Sequence, residues 1–529
     1  MSSAAATSPL DASAWTPSAN RWMIALAVMI ATFMVILDSS VANVALPHIA
    51  GSLSASTDES TWVLTSYLVS NAIVLPATSW ITRRIGRKRL LLLSIIVFTS
   101  ASLLCGMAAS MPMLIVSRVL QGIGGGGMQP LAQAILLESF PPEEHGTAMA
   151  VYGVGIVVAP VIGPTLGGWI TDTYSWRWIF YINLPIGILG LFLVNAFIED
   201  PPYIRRVLRG AIDYLGFALM ALWLGSLQLM LDKGQEADWF GATWIRWTFA
   251  ISTAAFVGFI VRELSVREPI VQLHVLRNRN FSAGTLITGI YGFVLYGVTA
   301  MLPLFLQTLL GYSALDSGLA VSPRGIGSML SMLVAGTLAN FVDGRLLLAS
   351  GLAIFGFSTL MFSHLNLGIS MISVAVPNII NGFAGGLVFV PLTTMTMGRL
   401  RKEEIGNASG IYNLMRNIGG STGIAAVTTL LVRHSQVHQS FLVSHISAGA
   451  QSASPVIAAL QAKIAAAGSD AITAQQKALG AIYNMAQQQA ALLAYTDDFR
   501  MLGYLALLSI PVALTFERVR GRGAPRFEE

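Results

Sequence analysis

Charge is scarce in this sequence. Only 11% of its 529 residues are Asp, Glu, Lys or Arg, against about 25% in an average soluble protein. With 54% hydrophobic residues and a mean hydropathy of +0.67, the chain cannot clothe a water-facing surface of its own size, and most of its exterior must face lipid. Cysteine is nearly absent. Cys105 stands alone, which excludes an intrachain disulfide and a metal centre built from several cysteines. Up to Asn20 there is no basic segment or small-residue cleavage site ahead of a short apolar core, so the start of the chain reads as a cytoplasmic tail rather than a removable leader. The glycine run Gly122–Gly127 follows no strand and leads to no Gly-Lys-Ser/Thr. That argues against a phosphate loop and for close helix packing. His434 and His438 lie one helical turn apart, with His445 two turns on. No carboxylate or cysteine is near them in sequence, and no metal site is expected. No nucleophile–base pair, metal cluster or nucleotide loop stands out, so neither a catalytic residue nor a cofactor is expected.

What the chain does have is long apolar runs. A membrane-spanning helix needs about 20 mostly apolar residues. Fourteen such spans are expected, at residues 22–47, 61–82, 90–110, 112–137, 147–171, 177–198, 212–231, 242–261, 281–309, 317–340, 346–366, 371–398, 406–432 and 499–516. An even number puts both termini on one side. The basic residues say which, because cytoplasmic loops are enriched in Lys and Arg. With the N-terminus inside, twenty-one of the 31 Lys and Arg are cytoplasmic, seven lie at or beyond outer ends, and Arg118, Arg324 and Arg416 remain within spans. The net charge of +5 therefore reflects topology, and nucleic-acid binding is not expected. The outer segment 433–497 is long and rich in Ala, Gln and Ser; Ile472, Leu479, Ile482, Ala486 and Leu493 recur near helical spacing. It reads as a helical excursion that either docks a partner or serves as a passive cap.

The two ends of the chain echo each other. "EHGTAMAVYG" from Glu144 matches "EIGNASGIYN" from Glu404, and "RVLQGIGGGG" from Arg118 matches "NIINGFAGGL" from Asn378, both at an offset of 260 residues. Spans 1–6 thus read as a copy of spans 9–14, with spans 7 and 8 inserted. Two like bundles related by an axis along the membrane normal suit a rocking transporter with its site between them. The expected organisation is a tail at 1–21, a six-helix bundle at 22–198, two inserted helices with their loops at 199–280, a second six-helix bundle at 281–516 that includes 433–497, and a cytoplasmic tail at 517–529.

Asp38 is the one acid deep inside these spans, where a charge costs about 2.5–3.5 kcal/mol on insertion scales. It lies about nine residues before the outer end of span 1, and Arg118 about seven residues after the outer start of span 4, so a rise of about 1.5 Å per residue puts both at similar depth. Burial raises a carboxyl pKa and a neighbouring arginine lowers it. The pair is therefore either a poised proton site or a fixed salt bridge. In span 5, Gly155, Ala159, Gly163 and Gly167 recur every four residues, with Pro160, Pro164 and Gly168 among them. Small residues at that spacing admit a close neighbouring helix, which either seals a pathway or is plain packing. Polar and flexible residues on spans facing the expected cavity are Met34, Asn71, Gln121, Gln129, Tyr152, Gln307, Arg324, Asn381, Tyr412, Asn413 and Arg416.

With these motifs assembled, the chain resembles the major facilitator superfamily, and within it the fourteen-span drug:proton antiporters of the EmrB/QacA type. "LDSSVANVALP" resembles their first-span signature, "RVLQG" the span-4 motif and "GPTLGG" the antiporter motif of span 5, while "WRWIFYINLPIG" and "LDKGQEADWF" resemble the EmrB branch. The resemblance implies that Asp38 is the proton-linked acid and that Arg118 shares in the coupling. The cytoplasmic loop motif appears as "SWITRRIGRK": Arg84, Gly86, Arg87 and Lys88 stand in it, but Ser79 replaces the first glycine and Arg83 the usual acid. The second copy has Asn340 at that acid position. The expectation is an inner-membrane, proton-coupled exporter of small lipophilic or amphipathic drugs. The EmrB branch further implies a periplasmic membrane-fusion adaptor and an outer-membrane channel. A dedicated exporter of one natural compound, such as a siderophore, fatty acid or antibiotic, is the alternative, and a non-transporting membrane sensor is the alternative of another class.

Overall fold

The computed structural model describes residues 17–201, 213–266, 269–339, 341–446 and 454–517. These residues are helical throughout and hold no strand. Span 1 is the helix Arg21–Ser52, started by Asn20, whose side chain accepts the Trp22 N–H. Span 2 is Thr57–Ile85, opened by a capping box between Ser56 and Glu59 that satisfies two orphan amides. Span 3 is Arg87–Gly106. Span 4 is broken after its glycine run into Met111–Gly126 and Met128–Ser139. Span 5 is His145–Thr173, and span 6 is broken just before Asn183, into Trp178–Tyr181 and Asn183–Phe197. The inserted helices are Tyr214–Lys233 and Thr243–Ser265. Span 9 is Arg279–Thr308, and span 10 breaks at Pro323 into Ala314–Val321 and Pro323–Leu338. Spans 11 to 14 are Gly344–Phe362, Met371–Met397, Lys402–Ile446 and Ala471–Leu508.

Among the described residues, ten helices are long and apolar enough to cross a membrane by length and composition; the chain is a polytopic membrane protein. The other four expected spans, 2, 4, 13 and 14, are more polar or broken. Spans 2, 4 and 13 touch one another in the middle of the molecule, where side chains bond to each other rather than face lipid.

The pairing of helices repeats. Span 1 packs on span 5 as span 9 packs on span 13; span 2 packs on span 4 as span 10 on span 12; span 3 lies against spans 4 and 6 as span 11 lies against spans 12 and 14. The matching glycines do matching work. A Cβ on Gly122 or Gly126 would strike the backbone of span 2, and a Cβ on the equivalent Gly382 or Gly386 would strike the backbone of span 10. In lipid there is little hydrophobic drive between helices, so close backbone approach through small residues is what holds such crossings. The two sets meet where span 5 lies on spans 10 and 12, and where span 13 lies on spans 2 and 4. The inserted span 7 touches both sets, span 2 on one side and span 13 on the other.

The outer segment differs from expectation in two respects. Spans 13 and 14 do not stop at 432 and 499; they run on as continuous helices to Ile446 and back from Ala471, with a further helix, Ser454–Ala466, between them. The buried stripe of this hairpin also shares only Ile482 and Ala486 with the expected set. Ile472, Leu479 and Leu493 are exposed, while Ala474, Ala478, Ile482, Ala486, Ala490 and Ala494 are buried. Alanine every fourth residue brings helix backbones together, so the larger side chains are turned outward.

Candidate functional site

Asp38 and Arg118 meet. Arg118 Nη1 donates to Asp38 Oδ2 at 2.6 Å, and both residues are essentially sealed from solvent, at 2% and 0% exposed. The rest of the shell satisfies the carboxylate further. Gln121 Nε2 donates to Asp38 Oδ1 at 2.8 Å, and Asn183 Nδ2 donates to the same oxygen at 2.7 Å. Arg118 in turn donates from Nε to the Val63 carbonyl at 2.9 Å and from Nη1 to Gln121 Oε1 at 2.7 Å. Its guanidinium carbon lies 4.3 Å from the centre of the Tyr67 ring, a cation–π contact that suits a desolvated arginine. Ser102 anchors Asn183, accepting from Nδ2 at 3.0 Å while donating to the Phe180 carbonyl at 2.8 Å.

The geometry assembles five helices around one negative charge. A buried pair this well bonded repays its desolvation, but losing either partner strands the other. Arg118 Nη2 has no hydrogen-bond partner among the described residues. An unbonded buried donor costs about 1–3 kcal/mol.

Asn183 was not a sequence candidate. Its signal was a polar residue in the middle of "FYINLPIG", where the helix breaks. Gln121 was a cavity candidate, and the structure places it on Asp38 instead, fully buried.

Span 5 supplies the next layer. A Cβ on Gly155 would meet Met29, one on Gly163 would lie 2.6 Å from Ser40 Cβ, and one on Gly167 would lie 2.8 Å from Val41 Cγ1. Ala159, between them, is fully buried. The small-residue face is thus pressed onto span 1 beside Asp38. Pro160 and Pro164 sit within an unbroken helix, Pro164 half-buried, and Gly168 has only ordinary contact with Val44. On the opposite side of span 5, Gly153 lies against Met332 of span 10. A shift of span 1 against span 5 therefore has a direct mechanical route to the second bundle.

The cytoplasmic loop motif folds around an acid from another place in the chain. Arg83 donates to the Pro269 carbonyl at 3.0 Å, and Arg84 stacks on Trp80. Asp200, at the end of span 6, accepts the backbone N–H groups of Arg87 and Lys88 at 2.7 and 2.9 Å. A carboxylate at a helix N-terminus satisfies orphan amides and the helix dipole together. Gly86 has φ +88 and a Cβ there would collide with Asp200, so this position admits only glycine. The Arg87 guanidinium forms a buried two-pronged ion pair with Glu138 at the end of span 4, its Nη2 donating to Oε1 at 2.6 Å, and Lys88 Nζ donates to the Asn195 carbonyl at 2.7 Å. Gly406 of span 13 lies beside Ser79 and Arg87. Glu138→Gln is expected to lower stability by about 3–5 kcal/mol, because Arg87 then remains buried without a counter-charge; thermal unfolding in detergent, compared with Arg87→Lys, checks it. Asn340 of the second copy lies outside the described residues.

The other candidates separate into two groups. Asn413 Nδ2 donates to Gln133 Oε1 at 2.6 Å, and Arg416 Nη2 donates to Gln129 Oε1 at 2.8 Å and to Asn413 Oδ1 at 2.8 Å. This ladder ties span 13 to the far half of span 4, on the side of the basic loops. Tyr152 is buried on span 5 facing the middle of the molecule. The remaining candidates are not part of this ladder. Asn381 donates to Ser358 and Thr359 inside the second bundle, and the Tyr412 hydroxyl meets Thr393 at 3.1 Å. Met34 is buried in the core, Asn71 packs at the crossing of spans 2 and 4, and Gln307 is exposed at the outer end of span 9. Arg324 donates to Thr299 Oγ1 at 2.8 Å, and its Nη2 has no partner among the described residues. Those residues hold no group of three His, Cys, Asp or Glu arranged to bind a metal.

Comparisons with known proteins cover nearly all of the chain. A model of the Major Facilitator Superfamily matches residues 28–424. The chain is 38% identical over 427 residues to the multidrug export protein EmrB of Haemophilus influenzae, spanning 80% of this chain and 83% of that protein. It is 35% identical over 500 residues to the fatty acid resistance protein FarB of Neisseria gonorrhoeae, spanning 94% and 96%, and 35% identical over 491 residues to EmrB of Escherichia coli, spanning 92% and 94%. Among solved structures, the human organic anion transporter MFSD10 (TETRAN) aligns with a TM-score of 0.58 at 14% identity, over 92% of this chain and 99% of that one. At that identity the likeness is one of fold alone.

Proposed function

The chain belongs to the major facilitator superfamily, in the branch that includes EmrB, and from that premise we propose that it is a multidrug exporter of the inner membrane driven by inward proton flow. Its relatives named as multidrug export proteins support the substrate class, small lipophilic or amphipathic drugs. The observation that carries the mechanism is the sealed carboxylate Asp38, held by Arg118, Gln121 and Asn183 against the small-residue face of span 5.

The cycle follows from that geometry. A proton arriving from outside neutralises Asp38. Arg118 then loses its ionic partner and keeps only dipolar ones, and its open Nη2 gains a better one elsewhere. Span 1 and span 5 change their contact, and span 5 carries the change to span 10. The ladder Gln133–Asn413 and Gln129–Arg416 opens as the basic side of the molecule admits drug. Each proton driven by about 100 mV supplies about 2.3 kcal/mol, besides the contribution of the pH gradient. The basic loops support cytoplasmic termini. The helical hairpin beyond spans 13 and 14 suits the docking of a periplasmic membrane-fusion adaptor leading to an outer-membrane channel.

A second reading, export of one anionic amphiphile, is favoured by Arg324 Nη2 and Arg416 Nε, buried donors without partners among the described residues, and by the likeness to FarB. Proteoliposomes with an imposed pH gradient separate the two. Export of both a lipophilic cation and a lipophilic anion supports the multidrug exporter, export of the anion alone supports the second reading, and export of neither rejects both. The same vesicles test the alternation. With Cys105 replaced by Ser, cysteines at Gln133 and Asn413 joined by a short cross-linker are expected to stop efflux, and reduction of a cleavable linker to restore it. Unimpeded efflux in the linked protein would show that this ladder does not open.

A further inference from the structure

Asp38 is not the only sealed carboxylate. Asp498, one residue before the apolar segment of span 14, is fully buried. Two histidines of the outer segment, His434 and His438, which have no acid near them in sequence, each find one here. His434 Nδ1 lies 3.0 Å from Asp498 Oδ1, and His438 Nε2 lies 2.8 Å from Asp497 Oδ2. The contact joins spans 13 and 14 where they leave the membrane.

Asp38 and Asp498 are held differently. Asp38 receives three side-chain donors and faces an arginine, whose charge does not change in the working pH range. Asp498 Oδ1 has one histidine, and its Oδ2 has no partner among the described residues. An imidazole is the side-chain type that changes charge between about pH 5 and 8. His434 is about one-third exposed, so protons reach the pair from the outer side. The other groups around Asp498 are few. Its own helix brings Asp497, which adds negative charge, Arg500, 3.5 Å from Asp497, and Tyr495, whose hydroxyl meets Thr308 of span 9. Span 13 brings His438, held by Asp497, and the exposed Arg433. The ring contacts of spans 9 and 11 with this segment are Phe305 on Tyr495 and Phe362 on Phe499, which carry no charge.

We propose that Asp498 and His434 form a second proton-binding site, at the outer end of the second bundle, loaded from outside in the same cycle as Asp38. This rests on the proton-coupled reading above. Hydronium gives its proton to Asp498 Oδ2, leaving water and a neutral carboxyl, and the bond from His434 weakens from an ionic to a dipolar one. The joint between spans 13 and 14 then loosens at the root of the hairpin. Burial pushes the Asp498 carboxyl up to about 6, against the pull of the adjacent His434.

The test is an infrared titration of the full chain in lipid nanodiscs between pH 5 and 8, following the protonated-carboxyl band. Wild type is expected to show a component that Asp498→Asn removes, that Asp38→Asn leaves in place, and that His434→Gln moves upward by about one pH unit through loss of the positive neighbour. Gradient-driven dye efflux in Asp498→Asn is expected to keep running with its dependence on outer pH displaced. An unchanged band in Asp498→Asn, or an unmoved midpoint in His434→Gln, overturns the site. A titrating band with an unchanged efflux profile overturns its part in the cycle. Loss of efflux in Asp38→Asn is read separately, so failure of the main mechanism and failure of this site remain distinguishable. His434→Gln keeps a hydrogen-bonding side chain and serves if Asp498→Asn does not fold.

Discussion

Asp38→Asn is expected to reduce pH-driven dye efflux to the level of empty vesicles while drug-for-drug exchange across the same membrane continues. The asymmetry follows from what the substitution removes. Asparagine fills the same space and can still accept from Asn183 or Gln121, but it cannot take up a proton or hold a charge. The drug path can still alternate when drug occupies it in both directions, whereas net movement against a gradient has lost its driving ion. There is a stability cost as well. Arg118, fully buried, is left without its carboxylate, and an uncompensated buried charge costs about 3–5 kcal/mol. The variant is therefore expected to unfold at a lower temperature in detergent, and Asp38→Glu to recover part of the stability and some efflux. If Asp38→Asn exports as wild type does, the pair is a structural clasp between spans 1 and 4. If exchange and efflux vanish together in a protein that remains folded, Asp38 shapes the path rather than powering it.

Gly163→Val gives the second large effect. The glycine lies on span 1 so closely that its missing Cβ would stand 2.6 Å from Ser40 Cβ, and Ser40 is two residues from Asp38. Both helices are continuous there, so a valine forces the backbones apart. Overpacking of this kind costs about 1–3 kcal/mol, and in this place it also opens the seam beside Asp38. The expected outcome is loss of efflux together with faster collapse of an imposed pH gradient in vesicles without drug. Gly163→Ala paired with Ser40→Gly, which returns the missing space from the other side, is expected to recover much of both. A tight membrane with lost efflux would mean that the seam moves during transport without sealing it. Gly168→Ala, where the added methyl meets only Val44 at 3.8 Å, is the control and should be nearly silent.

Much of this protein is written in its sequence because lipid imposes a one-dimensional rule. Apolar runs of helix-spanning length, the one acid at the centre of a span and the arginine at matching depth were readable from residue order alone, and the duplicated glycines of spans 4 and 12 announced the repeated pairing of helices. Tertiary structure decided what depended on azimuth and on distant partners. Depth along a helix follows from counting residues, but the direction in which a side chain points depends on how neighbouring helices pack. Gln121 thus turned out to serve Asp38, and Asn381 and Tyr412 to bond within their own bundle. Asp200 took up the amides of Arg87 and Lys88 from across more than a hundred residues. Asn183 and Asp498 escaped notice for the same reason. Neither has its partner nearby in sequence; the fold places the first on Asp38 and the second against His434.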